Sequence, residues 1–360
     1  MAALFYREDM DEVRARLTSW WHGGDIGRPV MRILAPRERP VLDIPPRPRP
    51  PGWVTDYATS DFDYRVYLAE VACNQRWFLG EAVPYVSADL GPNCLALYLG
   101  CEGVEERDTV WFRPCITDKA SARFDYDPGN FYWDFTRRLV REETRRGAGK
   151  YLVEFPDLIE GLDTLAAMRG TQRLLEDLMT DPEWVHHCMR LITDRYFRYY
   201  DMLYDAIRDE VGGSYFWIWA PGRMVKLQCD FAAMIGPEMF SEFMLPVLEE
   251  MTERVSYSLF HWDGPGALPH LDALLSLPRL GMIQWVPGSG NEPPDDPRWW
   301  PLYHRILEAG KRPFVHDCAS EESLRAMKRE FGTELNRFYI MMNVPDRATG
   351  ERMLRVAECD

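Results

Sequence analysis

Two patterns of apolar residues alternate in SYSLFHWDGPGALPHLDALLSLPRLGMIQWVPG, residues 256–288. Short apolar and aromatic runs at 256–264 and 281–288 predict strands, and the helical spacing at 267–277 predicts a helix between them. A strand, a helix and a second strand in this order are typical of a parallel pair, because antiparallel neighbours need only a short turn. This stretch therefore predicts an α/β fold with a parallel sheet.

The same alternation continues on both sides of this stretch. Strands are predicted at 151–156, 214–222, 312–318 and 337–343, and helices at 163–180, 182–211, 238–255, 298–309, 320–331 and 346–358. Asp163 is predicted to cap the first of these helices, and Pro246 to interrupt the third. Two earlier strands, at 29–36 and near 82–88, bring the number close to eight. Eight strand–helix units predict a (β/α)8 TIM barrel.

The N-terminal part has a different composition. A helix is predicted over 7–21, with one apolar face formed by Met10, Val13, Leu17 and Trp20. Seven prolines between Pro36 and Pro51 exclude helix and sheet interior, so this segment is predicted to be an extended loop. It is either a surface connection or a loop over the mouth of an active site. We expect residues 1–80 to pack on the barrel and residues 81–360 to form the remainder of a single barrel domain.

Composition excludes several classes of protein. The formal net charge of −15 disfavours nucleic-acid binding, because an acidic surface repels phosphate. No apolar run is long enough for a membrane helix, and the early acidic residues do not fit a signal peptide. We therefore expect a cytoplasmic protein without a membrane segment. The eight cysteines form no CxxC pair, so we expect buried thiols rather than structural disulfides.

Polar residues follow several predicted strands, where a barrel places its active site. His261 with Asp263, and His316 with Cys318, are each two positions apart, so each pair has both side chains on one face of its strand. Zinc accepts this nitrogen, oxygen and sulfur set, although such histidines also simply bond neighbouring loops. The predicted substrate-binding residues near the strand ends are Trp219, Arg223, Gln228, Trp262, Gln284, Trp285 and Asn343. The three tryptophans either line an aromatic pocket or fill the core.

Two blocks resemble the uroporphyrinogen decarboxylase superfamily, and its corrinoid-dependent methyltransferase-like branch in particular. They are PDLIEGLDTLAAMRGTQRLLEDLMTDPEWV at 156–185 and LFHWDGPGALPHLDALLSLPRLGMIQWVPGSG at 259–290, within a resemblance that covers about residues 80–358. The resemblance implies a (β/α)8 barrel with a deep cleft at the carboxyl ends of its strands. It also implies transfer of methyl groups between small methylated compounds, a cobalt corrinoid on a separate protein, and a thiol or folate acceptor.

The zinc ligands of these methyltransferases are matched only in part. The family has a His-x-Cys at the end of the fifth strand and a cysteine after the eighth. Here the first element is His261-Trp262-Asp263, and the late cysteine falls near Asn343, which leaves Cys318 as the nearest thiol. Loss of both thiolates implies either a site for a harder metal or a metal-free site. His261 and Asp263 then bind or protonate the substrate.

The predicted activity is methyl transfer from a small O-, N- or S-methylated donor to a corrinoid. The chain has no D-x-H-x-x-G corrinoid-binding motif, so a partner protein or free cobalamin is expected to supply the corrinoid. One alternative is decarboxylation of a carboxylated tetrapyrrole, since Arg28, Arg32, Arg37 and Arg39 flank the first strand and Asp89 lies in VSADLGP. Another is a non-catalytic relative that binds a small ligand.

Overall fold

The computed structural model describes residues 3–358 as strands alternating with helices. The strands are β1 Val30–Pro36, β2 Arg76–Gly80, β3 Tyr85–Ser87, β4 Glu102–Glu105, β5 Val110–Arg113, β6 Leu152–Glu154, β7 Ser214–Phe216, β8 Ile218–Ala220, β9 Met224–Gln228, β10 Tyr257–Asp263, β11 Met282–Val286, β12 Arg312–Val315 and β13 Tyr339–Asn343. The helices are α1 Met10–Trp21, α2 Phe62–Asn74, α3 Cys94–Tyr98, α4 Phe131–Gly147, α5 Gly161–Arg169, α6 Thr171–Thr180, α7 Pro182–Ile207, α8 Pro237–Met239, α9 Leu245–Glu253, α10 Leu271–Ser276, α11 Trp300–Glu308, α12 Glu321–Phe331 and α13 Arg347–Glu358.

A seven-stranded sheet in the order β2-β1-β13-β12-β11-β10-β9 forms the centre of the molecule. Every pair in it is parallel except β1 with β2. The strands β3 and β6 form a second parallel pair, and β4 with β5 and β7 with β8 are antiparallel hairpins. The predicted α/β class with a parallel central sheet is confirmed. Closure of these strands into a complete barrel stays a prediction.

Helix α1 packs against the amino-terminal part of the sheet. Its predicted apolar face is confirmed, because Met10, Val13, Leu17 and Trp20 are all buried. These side chains share one buried cluster with residues of β1, β6, β9, β10, β11, β12 and β13. The guanidinium of Arg312, the first residue of β12, donates to the carbonyl oxygens of Trp20 and Trp21 at 2.8 and 2.9 Å. The end of α1 is thereby fixed to the amino ends of the strands.

Three local predictions are wrong. The helix predicted over 163–180 is broken at Gly170 into α5 and α6, and α5 begins at Gly161. Asp163 therefore lies in the first turn of α5 and is not its cap; its carboxylate bonds another segment of the chain. The predicted strand at 214–222 folds back on itself at Trp217, whose φ of +60° turns β7 into β8.

The proline-rich segment contains no helix or strand between residues 37 and 61, as predicted. Pro40 and Arg37 line a cavity that the carboxyl ends of β1 and β13 also border. Among residues 3–358, no helix is both long enough and apolar enough to cross a membrane.

Candidate functional site

Asp230, His261 and Asp263 form a cluster at the carboxyl ends of β9 and β10. Their ligand atoms all lie within 4.8 Å of one another. His261 pairs in register with Gln228 of β9 on one side and Gln284 of β11 on the other, so the three side chains lie in a row on one face of the sheet. Asp263 lies two residues beyond His261 and has the same orientation, as the sequence predicts.

A buried lysine fixes one side of this cluster. The ammonium of Lys226 lies 2.5 Å from Oε1 of Gln228 and 2.5 Å from Oδ1 of Asp157. Because a lysine only donates hydrogen bonds, the Gln228 amide must turn its oxygen to Lys226 and its nitrogen outward. That nitrogen donates to Oδ2 of Asp230 at 3.1 Å. Lys226 therefore fixes the orientation of Asp230 through the amide of Gln228.

Asp163 holds the turn that carries Asp230. Its carboxylate accepts the backbone N–H of Asp230 and of Phe231, each at 2.8 Å. Burial and the neighbouring Asp230 carboxylate raise the pKa of Asp163 to about 7. Partial burial in the cleft also raises the pKa of Asp230, the carboxylate of Asp263 adds to this, and His261 and Lys226 oppose it. Both carboxyl groups therefore keep their protons to a higher pH than an ordinary aspartate does.

The donor atoms of the cluster fit a divalent cation. Nδ1 of His261 lies 2.5 Å from Oε1 of Gln284, an arrangement that leaves Nε2 as the ring nitrogen available to a ligand. Oδ1 of Asp263 is buried and has no hydrogen-bond partner, which is costly unless a cation or substrate contacts it. One imidazole and two carboxylates are ligands that zinc accepts.

The structure does not bring all four predicted metal ligands into this cluster. His316 follows β12 and pairs with Asp317 at 3.0 Å. Burial lowers the pKa of His316, and the positive charges of Arg32 and His261 lower it further, against the opposing effect of Asp317. Cys318 is 5% exposed, and its thiol donates to the carbonyl oxygen of Ser320 at 4.0 Å. The observed cluster contains Asp230 with His261 and Asp263, and it contains neither His316 nor Cys318.

Two cavities flank the cluster. The first has a volume of about 650 Å³ and is lined by Arg32, Arg37, Trp217, His316 and Asn343 among others. Asn343 ends β13, and its amide donates to Asp317 at 3.4 Å. The second has a volume of about 520 Å³ and lies between Asp163, Gln228 and Asp230 on one side and the β4–β5 hairpin on the other. Asp230 thus borders the second cavity, and Trp217, whose ring lies 5.6 Å from that of His261, borders the first.

Of the predicted substrate-binding residues, Gln228, Gln284 and Asn343 lie in or beside this site. Trp262 and Trp285 are 1% and 0% exposed and pack against each other in the core, where Trp285 also contacts Trp299. Each neighbours a cleft residue in its strand, so it faces the opposite side of the sheet. Trp219 is buried, and its indole N–H donates to Asp209. Arg223 precedes β9 and pairs with Asp201, at the far end of the sheet from His261.

The sequence analysis did not assign Trp217 or Asp230 to the site. The ring of Trp217 lies 5.6 Å from that of His261 and lines the larger cavity. Trp217 was part of the predicted strand, and no glycine or asparagine marked the turn. Asp230 lies two positions beyond Gln228, so the spacing rule that selected Asp263 was available for it as well.

The comparisons with known proteins bear on the fold. No model of a known protein family matches this chain, and no curated protein matches it in sequence. A solved structure of a methyltransferase from Methanosarcina mazei is similar, with a TM-score of 0.56 and 11% sequence identity. The similarity covers 96% of this chain and 98% of that one. At this identity the comparison establishes a shared fold over nearly the full length.

Proposed function

We propose that this protein is a methyltransferase that takes a methyl group from a small O-, N- or S-methylated donor. The observation that carries the proposal is the cluster of Asp230, His261 and Asp263 at the carboxyl ends of parallel strands. The methyltransferase from Methanosarcina mazei with the same fold supports it. The fold also supports closure of the strands around one interior, since β1, β6 and β9 to β13 share a single buried cluster.

The chemical task of the cluster is to improve the leaving group. A methyl group leaves its heteroatom more readily when that atom gains a proton or binds a Lewis acid. Asp230 is open to the cleft and has a raised pKa, so it holds a proton closer to neutral pH than an ordinary aspartate does. His261 and Asp263 lie within reach of the same atom, and they are the groups that we assign to donor activation.

A zinc ion is the metal that we propose for the site. His261, Asp230 and Asp263 would hold it, and it would polarise the heteroatom of the donor. Gln284 then serves His261 as the partner that fixes which ring nitrogen faces the metal. Whether the site works with zinc or with protons alone, the same three side chains are required.

The methyl acceptor that we propose is a cobalt corrinoid delivered by a partner protein or as free cobalamin. The chain has no corrinoid-binding motif of its own. The two cavities at the carboxyl ends of the strands offer space for the donor and the acceptor. In the larger one, the aromatic ring of Trp217 in the lining suits a methoxyaromatic or methylated ammonium donor.

The proposal is tested by supplying reduced cobalamin with methoxyaromatics, methylamines, quaternary amines and methylthiols in turn. We expect one donor class to give the absorbance change that accompanies methylation of cobalt, and zinc-free protein to be slower than zinc-loaded protein. If the purified protein holds no zinc and added zinc changes neither stability nor rate, the metal assignment is wrong and proton transfer remains. Absence of methyl transfer from every class contradicts the proposed activity.

One observation favours decarboxylation as the second candidate. The larger cavity is lined by Arg32, Arg37 and Arg76, and Nε of the buried Arg32 has no hydrogen-bond partner. A buried guanidinium with an unused donor suits a carboxylate ligand. Release of carbon dioxide from a carboxylated tetrapyrrole, without methyl transfer from any donor, would identify the protein as a decarboxylase.

A further inference from the structure

Two cysteines outside the cluster lie side by side at the open end of the β4–β5 hairpin. Cys101 immediately precedes β4, Cys115 follows β5, and their sulfur atoms are 3.7 Å apart. Glu102 pairs with Arg113 in the hairpin register, so the two thiol-bearing segments leave the hairpin next to each other. Within residues 3–358, the sulfurs of the other cysteines make no such contact with one another.

The two thiols differ in a way that suits a nucleophile and a resolving group. Cys115 is exposed, whereas Cys101 is 2% exposed. A hydrogen bond from the Cys101 thiol lowers the pKa of Cys115. The same contact, together with burial, raises the pKa of Cys101. The accessible sulfur is therefore the one that more readily becomes a thiolate, which is the reactive form.

We propose that Cys101 and Cys115 are a modification site that forms a reversible disulfide, with a small-molecule disulfide such as oxidised glutathione as the oxidant. The Cys115 thiolate attacks one sulfur of the oxidant, forms a mixed disulfide and releases one glutathione thiolate. The Cys101 thiol loses its proton and attacks the Cys115 sulfur, and the second glutathione leaves as a thiolate that takes up a proton. The protein loses two electrons and two protons, and the oxidant gains them.

The local geometry allows this step. The sulfurs must move from 3.7 Å to the bonding distance of about 2.05 Å. Cys115 is exposed and lies outside the hairpin ladder, so it is the residue that we expect to shift. The backbone of Cys101 is held in place, because its N–H donates to the carbonyl oxygen of Ala96 at 3.0 Å.

The position of the pair connects it to the candidate site. The strand β5 contributes Val110, Trp111 and Phe112 to the wall of the 520 Å³ cavity, and Asp230 lies in the wall opposite. A disulfide across the open end of the hairpin joins both of its strands by a covalent bond. The oxidation state of the two cysteines therefore restrains one wall of this cavity.

The test is peptide mapping of the intact protein after incubation with oxidised glutathione. Trypsin cleaves after Arg76, Arg107 and Lys119 but not between Arg113 and Pro114, so Cys101 and Cys115 fall in peptides 77–107 and 108–119. We expect these peptides to be joined, the protein to lose the mass of two hydrogen atoms, and dithiothreitol to reverse both changes. An unchanged protein, or a glutathione adduct that persists on Cys115, overturns the proposal.

Matched variants identify the two sulfurs. C101S removes the resolving thiol, so we expect a stable glutathione adduct on Cys115 and no link. Peptide 77–107 also contains Cys94, and a link that persists in C101S would assign the bond to Cys94 and refute the proposed pair. C188S changes a buried cysteine on α7 and should form the link as the unaltered protein does.

Discussion

His261 and Gln284 face each other across neighbouring parallel strands, with Nδ1 of the histidine 2.5 Å from Oε1 of the glutamine. The contact orients the ring and leaves Nε2 as the nitrogen available to a ligand. A histidine that binds metal depends on such a partner, whose loss typically reduces metal affinity about 10- to 100-fold.

Gln284→Leu tests this contact directly. Leucine keeps the size of the side chain and removes the acceptor, so we expect the zinc affinity measured by calorimetry to fall about 10- to 100-fold. Gln172→Leu is the matched control, because Gln172 is an exposed glutamine on α6 whose amide donates to Glu176. Equal zinc affinities in the two variants would show that Gln284 does not position the histidine.

His261→Ala tests the assignment of donor activation. We expect the rate of methyl transfer to fall about 10²- to 10⁴-fold, the usual contribution of acid–base assistance, with little change in stability. Asp263→Asn keeps the shape and removes the charge, so it should also lower the rate. His304→Ala changes a histidine paired with Glu330 on the outside of the molecule and should leave the rate unchanged. A lower melting temperature with an unchanged rate per folded molecule would assign His261 a structural role only.

A pair of tryptophan variants separates the cleft from the core. Trp262→Ala opens a cavity in the core and should lower the free energy of unfolding by about 3–5 kcal/mol, measured with urea. Trp217→Gly removes a ring from the larger cavity, and glycine adopts the positive φ of that position readily. We expect a smaller loss of stability for Trp217→Gly and a higher KM for the methyl donor. The opposite order would place the aromatic pocket at Trp262, as the sequence suggested.

Glu143 on α4 is expected to make stability depend on pH. Burial raises the pKa of Glu143 to about 7, and the hydrogen bond from Tyr151 only partly opposes this. The folded state therefore binds the proton more tightly than the unfolded state, so stability is full below the ordinary glutamate pKa of about 4.3 and falls as pH rises toward 7.

Glu143→Gln should remove that part of the pH dependence. Between about pH 5 and pH 8, we expect the unaltered protein to lose more free energy of unfolding than the variant does, by on the order of 1–3 kcal/mol. Urea unfolding at both pH values measures the difference. An identical loss in the two proteins would mean that Glu143 is ionised in the folded state throughout this range.

The sequence predicted those strands and helices whose positions follow from the local pattern of apolar residues. Strands β10 to β13 were found because buried apolar runs alternate with amphipathic helices. The role of Asp163 could not be predicted from its neighbours in the sequence. This residue was assigned to a helix end on residue type, whereas its bonds to the backbone of Asp230 and Phe231 span more than sixty positions of the chain.

The tryptophans show a different limit. The alternation that directs His261 toward the cleft also directs Trp262 away from it, so the sequence contained the reason to exclude Trp262. Trp217 could not be found this way. Its left-handed backbone is held by an N–H bond to Glu154 and by the Tyr339 hydroxyl, which donates to its carbonyl oxygen; both partners are distant in sequence.

Helix α1 covers the amino ends of the strands, with its last turn bound to Arg312. Both cavities near the cluster lie at the opposite, carboxyl ends of the strands. In the proposed methyl transfer, the demethylated product would therefore leave through the space that admits the next donor. We expect added product to inhibit competitively with respect to the donor, and product release to limit turnover when the chemical step is fast.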